Sequence, residues 1–351
     1  MLRRSLLLLL LLAASAFSPA LAKRTSDTLT WTDARELTLE GMGWDDPDTP
    51  FSRLPTRAKD DVTTSVWWLS HHSAGVAVRF LSDSPEIWAD WDGGGAMVHM
   101  PRTGVSGLDL YHRGADEEWK WVALGKPDTT RTTKKLSNAP TTGTLEYLLF
   151  LPLYESTDTM RIGTVPGSTI TPAPPRQDPP LVFYGTSITQ GGCASRPGMA
   201  HVAILGRWLD RETINLGFSG SGQMEIAIAE LLGEIDASVY ALEALPNMTD
   251  TLVAERVAPF VRRLRELRPD TPILLIEHCL FPTDHPRNVL YRSIYNDLRA
   301  EGIMDLHYLA NTGFLEGREE ATVDGIHPTD LGFFWMAEAY EAPLRSLLAI
   351  P

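Results

Sequence analysis

A serine, an aspartate and a histidine are the residues of this chain whose types and spacing suggest acyl-transfer chemistry. Ser187 stands in YGTSITQGG, directly after the apolar run PPLVF, and Asp324 and His327 lie three residues apart in VDGIHPTD. An aspartate can orient an imidazole through one ring nitrogen while the other nitrogen takes a proton from a serine hydroxyl. The sequence therefore indicates Ser187 as a nucleophile, His327 as its base and Asp324 as the residue that orients the base.

Two further loops carry groups that could stabilise a negative charge. The stretch NLGFSGSG holds three glycines, which permit positive φ and let backbone N–H groups point at a ligand. Asn247 in LEALPNMTD has a side-chain amide that can donate to a developing oxyanion. Taken singly, each pattern is more often a plain turn or a capped helix than a site, and Asn247 also begins a glycosylation sequon. Their joint order along the chain is what favours a catalytic site.

The second half of the chain has the pattern of an α/β fold. Apolar runs that end in loops alternate with amphipathic stretches near 200–209, 223–233, 252–267, 287–300 and 330–348. The runs are LVFY, TINL, SVYALEA, PILLIE and IMDLHYLA. This alternation predicts a flavodoxin-like, doubly wound parallel sheet, whose ligands bind at the carboxyl ends of the strands. Pro328 suits a first helical position, which predicts that the last helix starts at His327.

The first half reads as an all-β sandwich or jelly roll. Aromatic and β-branched runs alternate with turn residues, in SVWWLS, GVAVRFL, EIWADWD, WKWVAL and TLEYLLFLPLY. Tryptophans in these runs could line a sugar-binding face, but such residues more often form a core. We therefore expect mainly core positions for Trp67, Trp68, Trp88 and Trp91.

Composition divides the chain into four parts. Residues 1–22 have two arginines, an apolar core and a small-x-small ending, which is the layout of a signal peptide. A β-domain over 23–170 and a catalytic domain over 181–351 flank a proline-rich linker at 171–180. We expect an exported protein, periplasmic or extracellular, with no stable membrane insertion after cleavage. The oligomeric state stays open.

Charge and motifs limit the partners and cofactors. Loss of residues 1–22 would remove two arginines and no acid, taking the formal net charge from −14 to −16, which disfavours nucleic acid. The chain has no H-x-x-x-H or cysteine-pair spacing and no nucleotide-binding glycine motif, so we expect neither metal nor cofactor. Cys193 and Cys279 are predicted either to form one bridge or to be two buried thiols.

Three other residues are candidates for contact with substrate. Glu277 and His278 end the fourth predicted strand and should face the cleft, and Arg196 lies in the loop after the first strand. An exposed loop arginine, such as the one predicted at Arg196, usually contributes little to binding.

With these residues the chain resembles the SGNH (GDSL-type) hydrolases. Four sequence blocks of that family carry Ser, Gly, Asn and His, in that order, on a doubly wound parallel sheet. YGTSIT matches the first block with Thr186 where Asp is commoner, and NLGFSG and DGIHP match the second and fourth. The third block departs most, because Leu245-Pro246-Asn247-Met248 stands where Gly-x-Asn-Asp is frequent. The resemblance implies the triad Ser187, Asp324 and His327. It also implies an oxyanion hole made of the Ser187 and Gly220 N–H groups and the Asn247 side chain.

The upstream half is similar to the GxDLY domain that precedes a subset of these enzymes. Its signature is in MPRTGVSGLDLYHR, with Gly107, Asp109, Leu110 and Tyr111. With this domain and the export signal, the resemblance implies a secreted serine esterase that removes short acyl groups, acetyl first of all, from carbohydrate. The alternatives are a lipase, lysophospholipase or thioesterase with the same triad, and a carbohydrate-binding protein with an inactive hydrolase domain.

Overall fold

The N-terminal half is a sandwich of two antiparallel sheets. The computed structural model describes residues 25–46, 48–114, 117–138 and 143–350, so the predicted signal peptide at 1–22 lies outside the described residues. The strands are β1 Thr30–Asp33, β2 Thr38–Glu40, β3 Ala77–Ser82, β4 Ile87–Asp92, β5 Leu108–Arg113, β6 Lys120–Gly125, β7 Arg131–Ser137, β8 Leu145–Phe150, β9 Met160–Thr164 and β10 Ile170–Pro172. Two helices, α1 Thr64–Ser70 and α2 Arg102–Val105, interrupt them. The predicted β-sandwich is confirmed.

Alternating side chains build the core between the two sheets. One sheet has the order β1-β9-β4-β7, and the other has the order β10-β3-β8-β5-β6, with β2 also paired to β3. Phe80 on β3 and Leu149 on β8 meet Ala89 and Trp91 on β4, and all four are fully buried. Residues two apart on a strand share one face, which explains why each run alternates.

One predicted strand, SVWWLS, is instead the helix α1. The Thr63 hydroxyl caps it by accepting from the Val66 N–H at 3.3 Å. Val66 and Leu69, three residues apart, are buried in the core of the C-terminal half rather than in the sandwich. A run this short does not show by its apolar spacing whether it is a helix or a strand. The packing of Val66 and Leu69 against the other half of the chain favours the helix.

The tryptophan prediction holds in part. Trp91 is fully buried, and Trp67 is partly buried against the core of the C-terminal half. Trp88 is half-buried, with the Lys135 ammonium 5.7 Å from its ring centroid. Trp68 is 64% exposed, so the core prediction is wrong for this residue.

The second half is a five-stranded parallel sheet covered by helices. Its strands are β11 Leu181–Gly185, β12 Thr213–Gly217, β13 Val239–Glu243, β14 Ile273–Ile276 and β15 Leu306–Leu309. Its helices are α3 Ser187–Gln190, α4 His201–Trp208, α5 Ile226–Leu232, α6 Asp250–Leu267, α7 Pro286–Ala300 and α8 Asp330–Leu347. The strand order β12-β11-β13-β14-β15 is the doubly wound, flavodoxin-like order, which confirms the predicted fold. Among the described residues, the structure contains no helix that is both long and apolar enough to cross a bilayer.

The last helix starts later than predicted. Thr329, not His327, is its N-cap and accepts from the Gly332 N–H at 3.1 Å. Pro328 pairs with Thr322 in an isolated antiparallel bridge, which holds it in extended backbone. His327 therefore lies in a loop before the helix, not at the helix start.

Charged groups join the two halves along β2. Glu40 accepts from both Arg79 and Arg176, so a strand residue of the sandwich is bonded to the proline-rich segment at 171–180. Beside it, the Gly41 N–H donates to the carboxylate of Glu212 at 2.8 Å. Burial, with a smaller effect from the charge of Glu40, raises the pKa of Glu212 to about 7.

We expect Glu212→Gln to stabilise the protein at alkaline pH. The folded protein holds the Glu212 proton more tightly than the unfolded chain, so stability falls as pH rises from 4.5 to about 7. Glutamine keeps an acceptor for Gly41 and has no charge to bury. The free energy of unfolding should rise by about 1–3 kcal/mol at pH 8 and by much less at pH 4.5, as measured by urea unfolding. Exposed Glu255→Gln is the control, and an equal gain at both pH values would refute the assignment.

Candidate active site

The turn after β11 fixes the position of Ser187. Ser187 is the first residue of α3, and its side chain faces the end of the sheet with the residue 8% exposed. The Thr186 hydroxyl accepts from the Ile188 N–H, and the Thr189 hydroxyl accepts from the Thr186 N–H, each at 3.2 Å. Thr189 thus completes a capping box at the start of α3, of which the serine is the first residue.

Ser187, His327 and Asp324 form a continuous chain of hydrogen bonds. The His327 Nε2 lies 2.9 Å from the Ser187 Oγ, and the His327 Nδ1 lies 2.8 Å from the Asp324 Oδ2. A tight turn holds the last two residues, because the Val323 N–H donates to the His327 carbonyl at 2.8 Å. This arrangement lets the histidine take the serine proton while the aspartate fixes the ring.

Asp324 is held in its ionised form. Its Oδ1 accepts from the backbone N–H groups of His327 at 2.8 Å and Ile326 at 3.0 Å. Partial burial opposes ionisation, but these two donors and the His327 ring outweigh it and hold the pKa of Asp324 at about 2. The carboxylate therefore stays charged throughout the pH range in which an esterase works.

The predicted oxyanion donors lie in loops that meet beside Ser187. Gly220 has φ +69, and a Cβ there would meet open space. The Ser219 N–H donates to the Gln190 side chain of α3 at 3.1 Å, and a Cβ at Gly222 would collide with the Gly185 carbonyl oxygen, so this loop packs against the nucleophile turn. Within the described part of the chain, the N–H groups of Ser187 and Gly220 have no hydrogen-bond acceptor.

The Asn247 side chain is held close to the same loop. Its Nδ2 donates to the Phe218 carbonyl at 3.2 Å, and the backbone carbonyl of Asn247 accepts from the Gln223 side chain at 3.1 Å. One of its two amide hydrogens is therefore used for position, and the other is available to an oxyanion.

We expect Asn247→Ala to lower kcat about 10²–10³-fold with little change in KM, because an oxyanion donor acts mainly in the transition state. Steady-state kinetics on p-nitrophenyl acetate measure the effect. Asn296→Ala, on the exposed side of α7, is the matched control. A loss confined to KM would instead make Asn247 a ground-state binding residue.

Residues of the N-terminal half contact the turn that carries Ser187 and the loops beside it. The sequence did not predict these contacts. The Tyr154 hydroxyl donates to the Ser187 carbonyl at 3.2 Å. Arg53 is 1% exposed and donates to four backbone carbonyls, among them Asn215 at 3.2 Å and Leu69 at 2.6 Å. Burial lowers the pKa of Arg53 to about 9, so it stays charged near neutral pH. These long-range contacts have no local sequence signal.

The GxDLY signature anchors the loop that contains Arg196. Asp109 is fully buried and accepts from the Trp121 side chain at 2.8 Å and the Gly198 N–H at 2.9 Å. The Arg196 guanidinium donates to Asp109 at 2.5 Å and to the Tyr111 hydroxyl at 2.6 Å. The guanidinium of Arg196 is therefore paired with the buried carboxylate of Asp109 from the other half of the chain. This pairing argues against the predicted contact of Arg196 with substrate.

Glu277 and His278 are also held inside the protein. The Glu277 carboxylate accepts from the Tyr308 hydroxyl at 2.6 Å, the Asn311 N–H at 2.8 Å and the Arg292 side chain. His278 is 5% exposed and stacks on Phe281, and burial lowers its pKa to about 3. Both residues follow β14 as expected, but their polar groups stabilise the loop rather than face a cleft.

The two cysteines are free thiols. Cys193 and Cys279 are both buried, which favours the second of the two alternatives left open by the sequence, two buried thiols.

An open groove of about 650 Å³ runs beside Cys193, between residues 98–101 of the sandwich and the loop before α8. His99 in that groove has its ring centroid 5.7 Å from that of His327. Sequence spacing did not predict this approach, because His99 and His327 lie on different domains.

Comparison with known proteins decides the family. Residues 178–345 match the model of the GDSL-like lipase/acylhydrolase family, and residues 29–170 match the GxDLY model, described as the N-terminus of SGNH-hydrolase-type esterases. A solved structure described as a GDSL-like lipase from Bacteroides ovatus is 33% identical, covers 92% of this chain and 99% of its own, and has a TM-score of 0.86. The chain belongs to the GDSL-like SGNH hydrolases. As a member of this family it is a carboxylic ester hydrolase.

More distant structures share the fold of this SGNH hydrolase. A salicylyl-acyltransferase from a tetracycline biosynthetic pathway is 20% identical over 93% of this chain and 99% of its own, with a TM-score of 0.75. A family two carbohydrate esterase from Cellvibrio japonicus is 14% identical over 92% of this chain and 98% of its own, with a TM-score of 0.62. The search of curated proteins found no match to the sequence of this chain.

Proposed function

We propose that this hydrolase is a secreted serine esterase that removes short acyl groups, acetyl in particular, from carbohydrate. The observation that carries the proposal is the unbroken hydrogen-bond chain from the Ser187 hydroxyl through His327 to Asp324. Such a chain has no evident structural purpose at the end of a sheet, where ligands of doubly wound folds bind. It also argues against an inactive hydrolase domain that only binds carbohydrate.

The reaction would pass through an acyl-enzyme. The Ser187 Oγ attacks the ester carbonyl while the His327 Nε2 takes its proton, and the N–H groups of Ser187 and Gly220 with the Asn247 amide bind the oxyanion. His327 then returns the proton to the leaving alcohol. A water molecule, deprotonated by His327, attacks the acyl-enzyme, and the carboxylic acid leaves as Ser187 recovers its proton.

The substrate class is supported by the architecture. Solved structures that share this fold include family two carbohydrate esterases and an acetyl xylan esterase from Butyrivibrio proteoclasticus, at TM-scores of 0.55 to 0.62. The signal-peptide layout of residues 1–22 and the acidic composition fit a protein that meets neutral polymers outside the cytoplasm.

An acyl-chain series tests the substrate directly. The protein and its Ser187→Ala variant are assayed on p-nitrophenyl esters from acetate to octanoate and on acetylated xylan and mannan. We expect kcat/KM to be highest for acetate, to fall with chain length, and to be accompanied by acetate release from a polysaccharide. Activity that holds or rises toward octanoate would replace this proposal with a lipase or thioesterase. Polysaccharide binding without turnover of any ester would point to a binding protein.

A further inference from the structure

Two side chains next to the triad have no part in the proposed reaction. His99 comes from the sandwich domain and is exposed, while Cys193 follows the nucleophile turn and is buried. One ligand atom from each of His99, Cys193, Asp324 and His327 lies within 4.8 Å of every other. The sulfur of Cys193 also lies 3.3 Å from the His99 carbonyl oxygen, so the two segments are in direct contact.

This set of ligands is selective. Two imidazoles, one thiol and one carboxylate match the nitrogen, sulfur and oxygen donors that zinc prefers, whereas magnesium and calcium prefer oxygen alone. Zinc bonds of about 2.0–2.3 Å in a tetrahedron place ligand atoms about 3.3–3.8 Å apart. The ligand atoms, which lie within 4.8 Å of one another, must therefore move about 1 Å closer to hold the ion, and one of the four side chains, His99, is exposed.

We propose that these four residues form a site for a zinc-type divalent cation, and that binding reversibly inhibits the esterase. Both nitrogens of His327 are already used, one by Ser187 and one by Asp324. Coordination through either nitrogen therefore breaks one of the two hydrogen bonds of the triad. The Cys193 thiol gives its proton to solvent as the sulfur–metal bond forms, and no group changes oxidation state.

The ion has a path to the site. The open groove beside the triad is lined by both His99 and Cys193, together with Val323 and Pro101. The Asp324 side chain is one third exposed, so the cluster can be reached without opening the fold.

Metal binding and inhibition are measured separately, because only the inhibition rests on the proposed function. On chelator-treated protein, calorimetry should show one zinc ion bound per chain, and cobalt should give thiolate charge-transfer absorption. Zinc, but not magnesium, should suppress p-nitrophenyl acetate hydrolysis, and excess EDTA should restore it. Ser187→Ala should bind zinc as the parent does, even though it is inactive.

Ligand variants decide between this site and another one. Cys193→Ala should abolish the cobalt absorption band. His99→Ala should raise the zinc dissociation constant at least tenfold. Because His99 is exposed, this second test remains valid even if the variant of the buried Cys193 does not fold. His307→Ala, on the edge strand β15, is the matched histidine control. Each inhibition constant is compared with the variant's own activity without zinc. Absence of zinc binding, or binding unchanged in His99→Ala and Cys193→Ala, would overturn the proposal.

Discussion

Ser187→Ala is expected to lower kcat on p-nitrophenyl acetate by about 10⁴–10⁶ and to leave the fold intact. The hydroxyl is the only protein group in the proposed mechanism that forms a bond to the acyl carbon. Its sole described side-chain partner is His327, so its loss removes no contact on which the fold depends. Circular dichroism and thermal unfolding of the variant should therefore match those of the parent.

Ser238→Ala is the matched control for this experiment. Ser238 also lies at an end of a sheet strand, but it precedes β13, and its hydroxyl donates to the Pro180 carbonyl at 3.0 Å. Its variant should keep full activity. If Ser187→Ala retained activity within a factor of ten of the parent, the nucleophile assignment would be wrong.

Asp324→Asn is expected to lower kcat by about 10³–10⁴, because it should favour the wrong tautomer of His327. In the wild-type turn, the Oδ1 accepts from two backbone N–H groups and the Oδ2 faces the His327 Nδ1. Asparagine has one oxygen, which those two N–H groups would keep, so its NH₂ would point at the Nδ1. The imidazole proton would then move to the Nε2, which could no longer accept the proton of Ser187.

The low pKa of Asp324 also predicts part of the pH dependence of the wild-type activity. Because the pKa of Asp324 is about 2, no loss of wild-type activity between pH 4 and 9 should come from protonation of this carboxylate. Asp236→Asn, with a side chain that is 82% exposed, is the control and should be fully active. Full activity of Asp324→Asn across this range would show that Asp324 does not orient the base.

Much of the catalytic half could be predicted from the sequence, because its signals are local. The runs LVFY and TINL are each a buried strand followed by a loop, and the structure places them as β11 and β12. In a parallel sheet the carboxyl ends of such strands lie at one edge, so Ser187 and the glycine loop had to meet. The Asp324 and His327 pair could be anticipated from the local sequence, since its members lie only three positions apart.

The remaining features depend on contacts between distant residues. SVWWLS has the composition of a strand, but Val66 and Leu69 find their apolar partners on the other domain, and this contact selects a helix. Arg53 stands in an ordinary loop sequence, and only the fold brings four carbonyl groups to its guanidinium. Glu277, His278 and Arg196 lie after the strands as predicted, but position in the sequence does not reveal which polar groups are already bonded.

Covalent labelling tests the central claim, that Ser187 is the nucleophile activated by His327. The protein is incubated with a fluorophosphonate and digested, and the adduct is located by mass spectrometry. We predict a single adduct on Ser187 that is absent from Ser187→Ala and forms much more slowly in His327→Ala. A stable adduct on any other residue, or no adduct while ester hydrolysis continues, would contradict the mechanism.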